Sequence, residues 1–217
     1  MKNDEFAKCL PKKQELVVWA HLSQVQRELY ESYLVDGGKV AAVLSGKMRS
    51  PLEAITYLKK LCDHPSLVSD EHGYIRSSIN NSGKLETLVH LMKDLKDAGH
   101  RCLIFSPSTK ILDIIQSKLP VEMARIDGST KGKDRQSIVD EFNSDHSSLD
   151  ALLLSTKAAG IGLNLTSADR AIIFSPSWNP ADDSQAVDRC YRIGQKKNVI
   201  VYRFITAGTV EGKFFAF

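Results

Sequence analysis

Ala151-Leu152-Leu153-Leu154-Ser155-Thr156-Lys157-Ala158-Ala159-Gly160-Ile161-Gly162 passes from unbroken apolar side chains into two hydroxyls, a lysine and a turn holding two glycines. The apolar part does not alternate with polar residues, so both faces of the segment are covered, the mark of a strand inside a parallel sheet. Three further runs read the same way: Cys102-Leu103-Ile104-Phe105, Ala171-Ile172-Ile173-Phe174 and Val199-Ile200-Val201-Tyr202. Between them the spacing of apolar residues predicts helices at 108–119, 131–143 and 180–192. Ahead of them lies a helix at 84–98, with Leu85, Leu88, Val89, Met92 and Leu95 inward and Gly99 as its stop. Strand and helix in repetition, with doubly buried strands, define an α/β fold whose parallel sheet is sandwiched by helices. In such sheets ligands gather at the carboxyl ends of the strands.

The first part of the chain reads differently. Ser23-Gln24-Val25-Gln26 has the form of a capping box, and Leu22, Val25, Leu29 and Tyr33 follow at helical spacing. A second helix starts at Ser50-Pro51 and carries Leu52, Ile55, Leu58 and Leu61 until His64-Pro65 stops it. Residues 75–83, rich in Ser and Asn, form a loop. The expectation is a helical region over 1–80 and an α/β lobe over 81–217.

With 217 residues the chain has enough length to bury roughly 70% of its unfolded surface. Hydrophobic residues at 42% and charged residues at 25% exclude collagen-like, coiled-coil and wholly disordered classes. The longest apolar runs fall far short of the roughly 20 residues of a membrane span, so no membrane partner is expected. Met1-Lys2-Asn3-Asp4-Glu5 has neither the apolar stretch of a secretory signal nor the character of a transit peptide. A net charge of +3 permits a polyanionic partner without requiring one. Cys9, Cys62, Cys102 and Cys190 form no C-x-x-C pair, which fits reduced thiols in an intracellular compartment. The Cys62-Asp63-His64 cluster is a poor metal motif, and no metal site is expected.

The residues richest in chemistry lie in 178–195. Asn179 is a good N-cap, Pro180 a good first helical residue, and Asp182 and Asp183 complement the helix dipole. On a helix running to about residue 193, Gln185, Asp188, Arg189 and Arg192 fall on one stripe, beside an apolar stripe of Ala186, Cys190 and Ile193. Spacing alone allows a solvated face with an Asp188–Arg192 pair. It equally allows a clamp of two planar guanidiniums suited to a phosphoryl group.

Taken with Trp178-Asn179-Pro180 and Gln185-Ala186-Val187-Asp188-Arg189-Cys190-Tyr191-Arg192-Ile193-Gly194-Gln195, the segment 153–165 closely resembles the Swi/Snf-type DNA-dependent ATPases, a branch of the superfamily-two helicases. The resemblance extends to Arg101-Cys102-Leu103-Ile104-Phe105-Ser106, to Arg125-Ile126-Asp127-Gly128-Ser129-Thr130 with Arg135, to Leu61-Cys62-Asp63-His64-Pro65 and to Thr206-Ala207-Gly208-Thr209-Val210-Glu211. The wording of residues 58–65 and 176–180 looks most like the excision-repair-type branch, PICH-like or Cockayne syndrome B-like. Members of the family couple ATP hydrolysis to tracking along duplex DNA, with two RecA-like lobes. This chain resembles the second lobe, the helicase C-terminal domain, preceded by a helical protrusion.

The resemblance implies roles. Arg189 and Arg192 match arginine fingers that reach ATP across the cleft, with Gln185 beside them and Asp188 orienting them. Gly160, Gly162 and Asn164 match the segment lining the nucleotide cleft. Ser155, Thr156 and Lys157 match a part that touches DNA phosphates, and Trp178 matches a tryptophan that meets the DNA strand, the alternative being a core position closing the strand at Phe174. Gly128, Ser129 and Thr130 match a backbone-contacting loop, with an ordinary turn as the alternative, and Ser106 and Lys110 are weaker candidates for the same surface. Pro107 stands where the family usually has glutamine, and Gly212 where it has a second acid, before a terminus that lacks the family's brace helix and leaves Phe214, Phe215 and Phe217 little to pack against.

No G-x-x-x-x-G-K-[ST] loop occurs, so ATP and Mg²⁺ are expected to be held mainly by a first lobe, and the chain alone is expected to be inactive. Asp70-Glu71-His72-Gly73 imitates a helicase acidic box without the buried strand such a box follows. The implied partners are duplex DNA, with chromatin as a further possibility, and the first lobe of the same polypeptide; the implied location is the nucleus. The alternative is a non-catalytic module, derived from this lobe, that binds DNA or protein.

Overall fold

The four continuous apolar runs are strands, and two shorter-signalled strands join them. The strands are β1 (Lys13–Ala20), β2 (Cys102–Ser106), β3 (Met123–Ile126), β4 (Ala151–Ser155), β5 (Arg170–Ile173) and β6 (Val199–Thr206). They form one sheet in the order β1-β6-β5-β2-β4-β3. The pairs β2–β4, β2–β5, β3–β4 and β5–β6 are parallel. β1 also runs parallel to β6: the Val199 amide donates to the Lys12 carbonyl, and the Ala207 amide to the Ala20 carbonyl, so both strands advance together. The computed structural model describes residues 11–35, 51–68, 78–160 and 162–215. Cys9, residues 70–73, Ile161 and Phe217 lie outside them, as do the side chains of Phe214 and Phe215.

The helices are α1 (Gln24–Val35), α2 (Pro51–Asp63), α3 (Gly83–Asp97), α4 (Thr109–Lys118), α5 (Gly132–Asn143), α6 (Thr156–Ala159), α7 (Pro180–Val187) and α8 (Val210–Phe215). The chain divides into two compact units, one of residues 1–18 and 89–204, the other of residues 19–88 and 205–217. No helix among the described residues is long and apolar enough to cross a membrane.

In the first unit, every residue of β2 and β4 is buried, which is why these strands read as unbroken apolar runs. Successive side chains still go to opposite faces. Leu103, Phe105, Leu152, Leu154, Ile173 and Val201 share one core with Phe142 of α5 and Ala186 of α7. The alternate residues Ile104, Leu153 and Ile172 are equally buried, on the face where α4 brings Ile111, Leu112 and Ile115 onto β2 and β4. Each such side chain contributes about 1.5–3 kcal/mol by leaving water.

The second unit is organised around a glutamine. The capping box forms as the sequence implies: Gln26 Oε1 accepts from the Ser23 amide at 3.0 Å, and Ser23 Oγ from the Gln26 amide at 3.2 Å. Gln26 then does more, since Nε2 donates to the Leu61 and Cys62 carbonyls and Oε1 also accepts from the Gly83 amide. A buried amide with its donors and acceptor all used holds α1 against the end of α2 and the start of α3. Tyr33 stacks on Tyr57 with centroids 4.3 Å apart, beside Tyr30, Leu58, Leu61 and Cys62. Gly83 is required for packing, because a Cβ there would lie 1.7 Å from the His21 carbonyl oxygen.

Two expectations are corrected. The helical region expected over 1–80 contains no strand, yet 13–20 is β1, an edge strand whose exposed side chains broke the buried-strand signature. The helix expected to reach about residue 193 ends at Val187. Asp188 closes it, and the Arg189 and Cys190 amides turn back to carbonyls three residues earlier.

Candidate functional site

The parallel register brings four strand ends to one level. Ser106 pairs with Ser155, Ile126 with Leu154, and Phe105 with Ile173. The segments leaving β5, β2, β4 and β3 therefore stand side by side, across three inter-strand steps of about 4.8 Å, or roughly 14 Å. This row gathers residues 174–178, 106–110, 155–157 and 127–130, most of the side chains the sequence singles out.

Their availability differs sharply. After β3, the Asp127 carboxylate accepts from the Ser129 hydroxyl at 2.6 Å and amide at 2.8 Å, and from Arg125 Nε at 2.8 Å. The Ser129 bonds, reinforced by Arg125, hold this carboxyl below its ordinary value. Thr130 Oγ1 accepts from the Asp127 amide, and Arg135 donates to the Thr130 carbonyl at 3.2 Å. The turn is thus pinned from inside, with Gly128 and Ser129 exposed at its tip. Ser155 caps α6, its hydroxyl accepting from the Ala158 amide. Thr156 is 5% exposed and its Oγ1 has no partner, whereas Lys157 is exposed.

Ser106 is fully buried; its hydroxyl donates to Ser175 Oγ at 3.1 Å and accepts from the Ser108 amide. It joins the ends of β2 and β5 and offers nothing to solvent. Lys110, one turn further on, is exposed. Trp178 is 51% exposed, not enclosed behind Phe174, which itself packs on Phe204.

The turn after α6 approaches α7. A Cβ on Gly160 would sit 3.2 Å from the Lys157 carbonyl and 3.8 Å from Gln185 Oε1, so Gly160 and Gln185 are brought together. Gly162 has φ +76°, the left-handed region that favours glycine. Gly162 and Asn164 line a cleft of about 470 Å³ with Arg135, Gln136 and Asn143 of α5, and Asn143 fixes this turn by donating to the Asn164 carbonyl at 2.7 Å.

α7 is capped as its sequence implies, Asn179 Oδ1 accepting from the Ala181 amide ahead of Pro180. Because the helix ends at Val187, Arg189 and Arg192 stand on the tight turns beyond it and not on a helical stripe with Gln185. No hydrogen bond joins Gln185 to either arginine. The Arg189 carbonyl accepts from the Leu165 amide, while its Nε is buried without a partner. The Arg192 side chain is exposed, with no hydrogen bond or ion pair to the described residues. Asp188 pairs with Lys13 Nζ at 3.8 Å. Cys190 and Gln195 anchor the segment: the Cys190 thiol, pushed up to about 12 by burial, donates to the Val187 carbonyl, and Gln195 Nε2 donates to the Ala168 and Cys190 carbonyls.

In the second unit, the members of the Cys62-Asp63-His64 cluster go separate ways. Asp63 binds Lys84 at 3.0 Å, His64 bonds to Ser66 and the Ser78 carbonyl, and burial pushes the Cys62 thiol up to about 12. Lys13 and Arg203, which pair with carboxylates at the two ends of α7, carried no signal in the sequence. Asp183 was legible only as a residue that suits a helix N-terminus, and nothing local marks its partner twenty residues on.

A parallel sheet in this order, with helices packed on it and a row of polar loops at its carboxyl edge, defines a RecA-like lobe of the helicase kind. Residues 83–194 match the family described as the helicase conserved C-terminal domain. The chain belongs to that family, as a C-terminal lobe of the Swi/Snf type. It is 41% identical to a Danio rerio protein named DNA excision repair protein ERCC-6-like, over 95% of this chain and 16% of that protein. It is 40% identical to the Oryza sativa DNA excision repair protein CSB, over 98% of this chain and 18% of that protein. The chain thus spans less than a fifth of the length of these relatives. Among solved structures it is similar to the C-terminal part of the Fun30 ATPase domain, with TM-score 0.82 and 26% identity over 95% of this chain and 89% of that one. It is also similar to the Sulfolobus solfataricus SWI2/SNF2 ATPase core in complex with dsDNA, with TM-score 0.77 and 31% identity over 98% of this chain and 45% of that one.

Proposed function

We propose that this chain is the second lobe of an ATP-dependent translocase on double-stranded DNA, acting in repair or on chromatin in the nucleus. Residues 1–80 serve as the protrusion and inter-lobe region, and 81–217 as the lobe. One observation carries the reading: two arginines follow α7 on tight turns, one with a buried unpartnered Nε and the other with its whole guanidinium unspent. Cations left unpaired on an anchored segment fit the spread charge of a nucleotide's phosphates. Arg189 and Arg192 act as arginine fingers toward ATP held, with Mg²⁺, on a first lobe. On the same reading Gln185 and Gly160, which approach each other, and Gly162 and Asn164, which line the cleft beside α5, border the nucleotide.

Lys157, Lys110, Trp178, Gly128 and Ser129 form the DNA-facing row. Its roughly 14 Å width corresponds to about four phosphates of one strand at a rise of 3.4 Å each. Contacts made by lysines, hydroxyls and backbone amides ignore base identity, as tracking along any sequence requires. Thr130, Thr156, Ser155 and Ser106 support this row from within.

ATP turnover with and without duplex DNA tests the reading, comparing the 217-residue chain with one extended upstream through a first lobe. Silence from the chain and DNA-stimulated turnover from the extended form is the expected result. Turnover by the chain alone overturns the half-site assignment. Silence from both, with DNA still bound, favours the non-catalytic binding module.

A further inference from the structure

The helix between Trp178 and the two arginines is tied at both ends to the edge strand β1 and its neighbour β6. At its entry, the Asp183 carboxylate is fully buried and accepts from the Ser177 amide at 3.1 and 3.2 Å. Its second partner is Arg203 of β6, Nη1 to Oδ2 at 3.0 Å. Arg203 Nη2 in turn lies 3.6 Å from Glu15 of β1. At the exit, Lys13 of β1 bridges Glu15 at 3.3 Å and Asp188 at 3.8 Å, and its ammonium lies 5.8 Å from the centre of the Tyr191 ring. The Tyr191 hydroxyl donates to the Pro11 carbonyl at 2.9 Å. Five alternating charges, Asp183, Arg203, Glu15, Lys13 and Asp188, thus run from one end of α7 to the other along the sheet edge.

The links are unequal. Lys13–Asp188 is long and its carboxylate is 59% exposed, so water and salt weaken it. Arg203–Asp183 is short, the carboxylate is shielded, and the planar guanidinium spans two carboxylates at once. Asp183 is also bonded to the amide immediately before Trp178. A displacement of Arg203 would therefore reach Trp178 through one carboxylate.

We infer that Arg203 is a positioning residue: through Asp183 it fixes the entry of α7, so that Trp178 before the helix and Arg189 and Arg192 after it are held as one piece. The inference rests on the functional reading above and names the device that registers the DNA-facing row with the arginines. A translocase needs such a device, because DNA contact at one end must alter the cleft at the other only through an element that does not flex.

Time-resolved fluorescence anisotropy on the 217-residue chain tests the placement. The chain has two tryptophans, so Trp19→Phe leaves Trp178 as the sole emitter. Arg203→Lys keeps the charge but loses the fork, and Asp183→Asn keeps the shape but loses the ion pair. Each is expected to speed the local depolarisation of Trp178 at an unchanged far-UV spectrum, and Trp178 behaving as in the parent in both variants overturns the inference. In the chain extended through a first lobe, Arg203→Lys is expected to lower DNA-stimulated kcat by about 10- to 100-fold, as misplacement by an ångström can, with the KM for ATP unchanged. An equal loss of DNA-independent turnover overturns it. If Arg192→Ala leaves turnover intact, the functional reading fails first; if Arg192→Ala abolishes turnover and Arg203→Lys does nothing, the positioning role alone fails.

Discussion

Lys84 Nζ lies 2.7 Å from Glu211 Oε1, a pair 127 residues apart in the chain, and both side chains are almost completely buried. Asp63 completes the cluster at 3.0 Å. Burial alone would pull the Lys84 ammonium down, but the Asp63 and Glu211 carboxylates outweigh it and hold the group above the ordinary lysine range. Lys84→Met leaves two carboxylates facing each other out of water. Losing one partner of a buried ion pair costs about 3–5 kcal/mol, so the urea midpoint of Lys84→Met should fall steeply. A midpoint within experimental error of the parent would refute the cluster's role.

Stability should decline in alkali. Burial pushes Cys62, Cys102 and Cys190 up to about 12 from an ordinary value of 9.0. The unfolded chain releases these protons near pH 9 while the folded chain retains them, so the contribution is complete below pH 9 and is lost as pH rises toward 12. Each thiol adds up to about 1.4 kcal/mol of lost stability per pH unit in that window. Lys84, raised as well, changes stability in the same direction. Guanidinium unfolding between pH 8 and 10.5 should show the decline, and Cys102→Ala should make it shallower.

Arg189→Ala and Arg192→Ala, made in a chain that includes a first lobe, should each lower DNA-stimulated ATP turnover by about 10³-fold, the scale of a lost arginine finger. Steady-state hydrolysis with saturating duplex DNA decides this, and unchanged turnover removes both residues from the cleft.

DNA binding should separate residues that share one strand-end row. Lys157 is exposed and Ser106 is enclosed. Lys157→Ala should weaken duplex binding uniformly across sequences and reduce the slope of log K against log salt by about one. Ser106→Ala should leave DNA affinity unchanged while costing about 1 kcal/mol of stability for its lost bonds. Fluorescence titrations at several salt concentrations test both, and a loss of affinity in Ser106→Ala would place that hydroxyl on the DNA after all.

The interior of the sheet was legible because β2 and β4 are buried on both faces and leave no room for a polar residue. β3 and β1 were not, since an edge strand need cover only part of itself: no residue of 123–125 is fully buried, and four consecutive residues of β1 are exposed. The arginine segment was legible in content but not in shape. No glycine or proline interrupts 181–193, so nothing local announces that the helix ends at Val187; its end is set by distant partners such as the Leu165 amide on the Arg189 carbonyl. The inward turn of Ser106 was equally hidden, because it depends on Ser175, 69 residues away on the neighbouring strand. The Asp183–Arg203–Glu15 chain joins three elements, and local spacing carries no trace of it.

The pairing of β1 with β6 has a temporal consequence. Residues 13–20 leave the ribosome some 180 residues ahead of 199–206, their only strand neighbour among the described residues. At ordinary rates of synthesis the interval is roughly 10–40 s. Throughout it, the apolar run Leu16-Val17-Val18-Trp19 lacks the strand it pairs with in the fold, the kind of segment that nascent chains hand to chaperones or lose to aggregation. The newly made lobe thus stays vulnerable at β1 until β6 emerges.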